Sequence, residues 1–130
     1  MKRKEVKFSD LIGKTIAYTK GLEVGSDSVL FMMTDGSRFE MEHSQACCES
    51  VCLEDIAGDV KDLIGFEILE AEEVTSYENP EGVTPENQNS FTWTFYKLAT
   101  FRGRVTIRWY GESNGYYSED VDFFEHDEQQ

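Results

Sequence analysis

The sequence predicts a single α+β domain built mainly from antiparallel β-sheet, with one or two short helices. Three observations lead there. Apolar residues recur with period two along most of the chain, in segments rich in Thr, Val, Ile and aromatics. Its two prolines, Pro80 and Pro85, both fall in one polar stretch. Asp35-Gly36 and Asn114-Gly115 are turn dipeptides that favour positive φ and so mark hairpins.

Residues 1–8 read as a basic N-terminal arm, 9–124 as the domain and 125–130 as an acidic tail. A one-turn helix is expected from Ser9, ahead of Leu11 and Ile12. Strands are expected at 15–20, 28–34, 37–43, 49–55, 66–75, 91–98, 104–110 and 116–123. Asp35-Gly36 joins the second to the third, and Asn114-Gly115 joins the last two. A short helix is predicted over 59–64, where Asp59 caps the amides of Lys61 and Asp62 and Gly65 ends the turn. The polar stretch 77–90 is the one long loop.

At 130 residues with a 39% hydrophobic fraction, the chain can bury one core. Its formal net charge of −14 repels nucleic-acid phosphates and anionic lipid, so no direct nucleic-acid partner and no membrane partner are expected. A charged N-terminus without an apolar stretch, and no apolar run near the ~18 residues of a membrane span, favour the cytoplasm. Three cysteines, two of them adjacent, do not read as a secreted disulfide framework.

All three lie in His43-Ser44-Gln45-Ala46-Cys47-Cys48-Glu49-Ser50-Val51-Cys52. On an extended strand Cys47 and Cys48 would point to opposite faces, and Cys48 and Cys52 would stand about 13 Å apart, too far for one ion. A thiolate is disfavoured by Glu40, Glu42, Glu49, Glu54 and Asp55 around it. His43, Cys47 and Cys48 are therefore weak metal or nucleophile candidates, and packing beneath a sheet beside Val51 and Leu53 is the stronger expectation.

Between Glu86 and Glu112 there is no acid, while Lys97, Arg102, Arg104 and Arg108 supply four of the twelve basic residues. Alternation groups Phe91, Trp93 and Phe95 on one face and Thr92, Thr94 and Tyr96 on the other. With Val105, Ile107 and Trp109 turned inward, the outer face is expected to carry Arg104, Thr106, Arg108 and Tyr110 together with Thr94 and Tyr96. Guanidinium forks bind phosphate and phenols stack on bases, so this strip, with Asn114 at its end, suits a phosphorylated aromatic ligand. The competing expectation is that both arginines pair with acids such as Glu70, Glu72, Asp120 or Asp122.

His43, Gln45, Cys47, Cys48, Glu49 and Val51, then Gly58-Asp59, Asp62-Leu63 and Ala71-Glu72-Glu73, form one recognisable set of words. Trp93-Thr94-Phe95-Tyr96 and Arg108-Trp109-Tyr110-Gly111-Glu112-Ser113-Asn114-Gly115-Tyr116-Tyr117-Ser118 form a second. Together they resemble a family of short bacteriophage and bacterial proteins catalogued as a domain of unknown function, over roughly residues 9–123. Ala46 stands where that family usually has Asp. The resemblance implies a phage or mobile-element setting, in which small acidic proteins, by analogy, sequester nucleotide signals or block nucleic-acid channels.

The leading expectation is thus a non-enzymatic counter-defence protein that sequesters a small phosphorylated ligand at Arg104 and Arg108, with Tyr96, Tyr110, Asn114 and Thr94 around it. No cofactor is expected. The alternative is an acidic inhibitor, a nucleic-acid mimic of the anti-CRISPR kind, that binds a basic host effector. Residues 40–73 motivate it, with eleven acids against Lys61 as the one Lys or Arg. A thiol or metal site at His43 and Cys47 comes third.

Overall fold

The computed structural model describes residues 2–85 and 88–127. Among the described residues nine strands form two antiparallel sheets. The first runs in the order β1 (Lys2–Glu5), β9 (Asp122–Asp127), β4 (Arg38–Glu42), β3 (Ser28–Met33) and β2 (Ile16–Lys20). The second runs β5 (Ser50–Ala57), β8 (Gly103–Ser113), β7 (Ser90–Thr100) and β6 (Glu70–Ser76).

Period-two alternation builds the interior. Val29, Phe31 and Met33 of β3 and Phe39 and Met41 of β4 are buried while their chain neighbours are partly exposed. From the second sheet Leu53, Tyr96, Val105, Ile107 and Trp109 enter the same core. The Trp109 indole N–H points at the Met41 sulfur, 3.2 Å away, so the two layers meet directly there.

The α+β expectation is corrected to a mostly-β fold, because both expected helices are single 3-10 turns, Phe8–Leu11 and Val60–Asp62. Neither is long enough to offset the cost of helix nucleation. The first lies between extended residues Lys7 and Ile12. Asp59 does cap the second, accepting from the Lys61 amide at 3.0 Å.

Asp35-Gly36 forms the expected hairpin between β3 and β4, with Gly36 at φ 91° and Asp35 Oδ1 accepting from the Ser37 amide. Asn114-Gly115 also turns the chain, with Gly115 at φ 99°, but the strands around it do not pair. Residues 116–121 cross from one sheet to the other, and β9 then pairs with β4 and β1. The strand expected at 116–123 therefore starts at Asp122.

Residues 2–5, expected as an arm, are a strand with Lys4 opposite Glu125. Of the expected acidic tail, 125–127 belong to β9 and 128–130 lie outside the described residues, as do Glu86 and Asn87 of the expected long loop. No helix among the described residues is long and apolar enough to cross a membrane.

Candidate functional site

The β7–β8 register decides which side chains share a face. Phe95 lies opposite Arg108 and Ala99 opposite Arg104, so the outer face carries Phe91, Trp93 and Phe95 with the two arginines. Thr94 lies opposite Trp109 and Tyr96 opposite Ile107, which turns both toward the core. Thr94 and Tyr96 thus do not stand beside Arg104 and Arg108, and the expected grouping is corrected. Alternation was right about which residues share a face and wrong about which face is outermost. The aromatic set can face outward because the chain after β6 covers it: Asn79 accepts from the Trp93 indole at 3.0 Å, and Gln88 bonds both Asn79 and the Tyr110 hydroxyl.

Both arginines are neutralised within the chain. Arg104 donates to the two Glu70 carboxylate oxygens at 2.7 and 3.1 Å, in a pair exposed to solvent. Arg108 donates from Nε to Glu54 at 2.7 Å, and its guanidinium lies 5.2 Å from the Trp93 ring centre. Glu54 reaches it as the extra residue of a β-bulge in β5. Asn114 Oδ1 accepts from the Tyr116 amide, an internal turn bond. Because an exposed pair contributes little to folding, Arg104→Ala is expected to leave the thermal melting curve within about 1 °C of the parent.

The cysteine expectation also changes. Cys47 and Cys48 sit in an exposed segment before β5 and are joined by a disulfide, and Cys52 lies on the side of β5 away from Val51 and Leu53. The Cys52 thiol is pushed up by burial and by Glu54 and Asp27, which keeps it protonated and unreactive. Among the described residues no cluster of His, Cys, Asp or Glu could hold a metal ion.

His43 is a buried structural residue. Its Nδ1 meets the Asp120 carbonyl at 2.7 Å and its Nε2 meets Glu49 Oε2 at 2.7 Å. One ring nitrogen thus faces a backbone carbonyl and the other a buried carboxylate. Glu49 also accepts the amides of Ala46 and Cys47. The Ala46 amide and the His43 ring together hold its carboxyl down to about 2.

This pair and its neighbours pin the segment that crosses between the sheets. Tyr96 donates to the Val121 carbonyl, His43 to that of Asp120, and buried Glu119 accepts from Thr92 and Ser113. Burial works against the Glu119 charge, but hydrogen bonds from Ser113, Ser90 and Thr92 keep its carboxyl below the ordinary range. Gly111 permits the approach, since a Cβ there would lie 2.5 Å from the Glu119 carbonyl oxygen.

With its backbone fixed, the segment turns Asp120 and Asp122 into a cavity of about 350 Å³ that is also lined by Glu73, Thr75, Tyr77, Thr94 and Val121. Glu73 and Thr75 alternate along β6 onto the face shared with Tyr96 and Thr94. None of these three carboxylates is in an ion pair among the described residues. Their crowding shows in their neighbours: Glu73 is raised by burial and by Asp120 and Asp122, and the buried Tyr96 phenol is pushed up by burial and by the same three acids. The site is an unneutralised acidic cavity suited to a cation. Sequence reasoning missed it because Asp120 and Asp122 were weighed as partners for the arginines and Glu73 as one of the acids of 40–73, and no local signal brings β6 to the crossing segment.

The model of a family described as a domain of unknown function, DUF7448, matches residues 9–123. None of the curated proteins and none of the solved structures matches the chain.

Proposed function

The chain belongs to the DUF7448 family, and we propose that it is a non-enzymatic binding protein whose acidic cavity corner receives a basic partner protein. The observation that carries this is the set of unneutralised carboxylates Glu73, Asp120 and Asp122 around one cavity. A chain of net charge −14 adds long-range attraction for cations, and fixed acids in a concavity add a preferred place for them to land. In the phage setting that the sequence resemblance implies, the partner is a host effector that handles nucleic acid.

A titration of labelled nona-arginine peptide, followed by fluorescence anisotropy at 50 and 300 mM salt, tests the reading. Glu73→Gln/Asp120→Asn/Asp122→Asn is expected to weaken binding at least about tenfold. Glu23→Gln/Asp27→Asn/Glu81→Gln, which removes the same charge from exposed sites elsewhere, is expected to change it less than about twofold. Equal losses in the two triple variants would reduce the effect to net charge and overturn the proposal. Sequestration of a phosphorylated ligand is separated by a thermal-shift screen with cyclic nucleotides and ADP-ribose derivatives: stabilisation that disappears in Arg104→Ala/Arg108→Ala would favour that reading instead.

A further inference from the structure

We infer that the exposed Cys47–Cys48 disulfide is a reversible exchange site for a dithiol reductant, and that its redox state is passed through the Glu49 carboxylate to the segment crossing between the sheets. The inference stands apart from the acidic-partner reading. Two features argue against a structural staple. A bond between adjacent residues closes almost no loop of chain, so it restricts the unfolded ensemble little and adds little to folding. Both cysteines are exposed, on a stretch between β4 and β5 that belongs to neither strand, and exposed disulfides are the labile ones.

The bond is connected to the interior through its own backbone. Joining adjacent side chains closes a ring that contains the Cys47–Cys48 peptide, and so restricts the backbone on both sides of it. The Cys47 amide donates to Glu49 Oε1 at 2.9 Å, and the Cys47 carbonyl accepts from the Gln45 side chain, which also holds the Glu49 carbonyl. Glu49 Oε2 meets the His43 ring, whose other nitrogen meets the Asp120 carbonyl. Opening the ring frees the Cys47 backbone and loosens an amide bond that orients Glu49, so the change reaches Asp120 through buried groups.

Exchange chemistry selects the reductant. A thiolate attacks one sulfur, the sulfur–sulfur bond breaks, and the electron pair leaves on the other cysteine, which takes a proton from water. The freed thiol lies beside the mixed disulfide and closes the bond again at high effective concentration, which expels a monothiol. A dithiol escapes this: its second thiolate attacks the mixed disulfide from within, the second cysteine leaves and takes a proton, and the reductant departs as its own disulfide. Two electrons thus pass from the dithiol to the pair. Cys52 does not compete, because its partly buried thiol is pushed up by burial and by Glu54 and Asp27 and stays protonated.

Mass spectrometry of the full chain, oxidised with diamide and then treated with dithiothreitol or 2-mercaptoethanol at equal thiol concentration, provides the test. The oxidised chain is expected to lack two hydrogens on the peptide carrying Cys47 and Cys48, and to be reduced at least about tenfold faster by dithiothreitol. Amide hydrogen exchange is expected to quicken on reduction by at least about threefold at residues 45–49 and 119–121, with β7 and β8 unchanged. Cys47→Ser/Cys48→Ser, shown to be folded by its melting curve, is expected to exchange like the reduced parent. Glu49→Gln is expected to keep the response at 45–49 and lose it at 119–121. Three free thiols after diamide, a bond that persists in excess dithiothreitol without denaturant, or equal rates with the two reductants overturns the exchange site. Unchanged exchange at 119–121 on reduction of the parent overturns the relay.

Discussion

Glu49→Gln is expected to lower the melting temperature at pH 7 by on the order of 10 °C, because it disrupts a fully enclosed hydrogen-bonded carboxylate. The side chains of His43 and Glu49 are 2% and 0% exposed, and the carboxylate accepts from the His43 ring and from two backbone amides. Glutamine keeps the shape but replaces one acceptor oxygen with a donor that faces N–H groups.

The pH dependence follows from the sign of the shift. The Glu49 carboxyl sits at about 2 in the folded chain against an ordinary 4.5, so its contribution is complete above about 4.5 and is lost as pH falls toward 2. The Gln variant lacks that part of the acid limb, and its melting temperature is expected to fall less between pH 5 and pH 2.5 than the parent's. Circular dichroism melts across that range provide the measurement. An unchanged melting temperature at pH 7 would show that the pair does not support the fold.

Trp109→Ala is expected to cost about 3–5 kcal/mol in chemical denaturation, with a lower midpoint and an unchanged slope. Trp109 is fully buried, belongs to the common core and reaches the Met41 sulfur of the opposite sheet. Truncation removes the largest side chain joining the layers and leaves a cavity that strands fixed by hydrogen bonds on both sides cannot close. Trp109→Phe, which keeps an aromatic ring in the layer contact, is expected to recover more than half of the loss. A cost below about 1 kcal/mol for the alanine variant would mean that the sheets do not pack through this residue.

Much of the strand content was legible locally. Each of β2 to β8 overlaps a segment with a period-two pattern, and the β3–β4 turn was fixed by Asp35-Gly36, whose backbone needs are met within a few residues. β1 was not legible, because Lys2-Arg3-Lys4-Glu5 has no apolar alternation and becomes a strand through pairing with acidic β9. The Asn114-Gly115 turn was legible as a turn but not as a crossing between sheets. A turn dipeptide specifies local dihedrals, while the partner of the next strand is chosen by packing elsewhere.

The candidate site shows the same division. Arg104 and Arg108 stood out in the sequence because acids are sparse around them, yet Glu70 and Glu54 come from β6 and β5 to neutralise them. Thr94 and Tyr96 share a face as alternation required, but it is the core face.

The sequence by itself determined the antiparallel strand character, the tight turns, the strong negative charge and the pairing of residues onto faces, because each depends on neighbours a few positions away. The tertiary structure alone decided which face of β7 is innermost and how Glu73, Asp120 and Asp122 come to share one cavity. Those outcomes depend on two sheets closing over a common core and on His43, Tyr96 and Glu119 holding the crossing segment in place. Such contacts join residues far apart in the chain, and no local pattern encodes them.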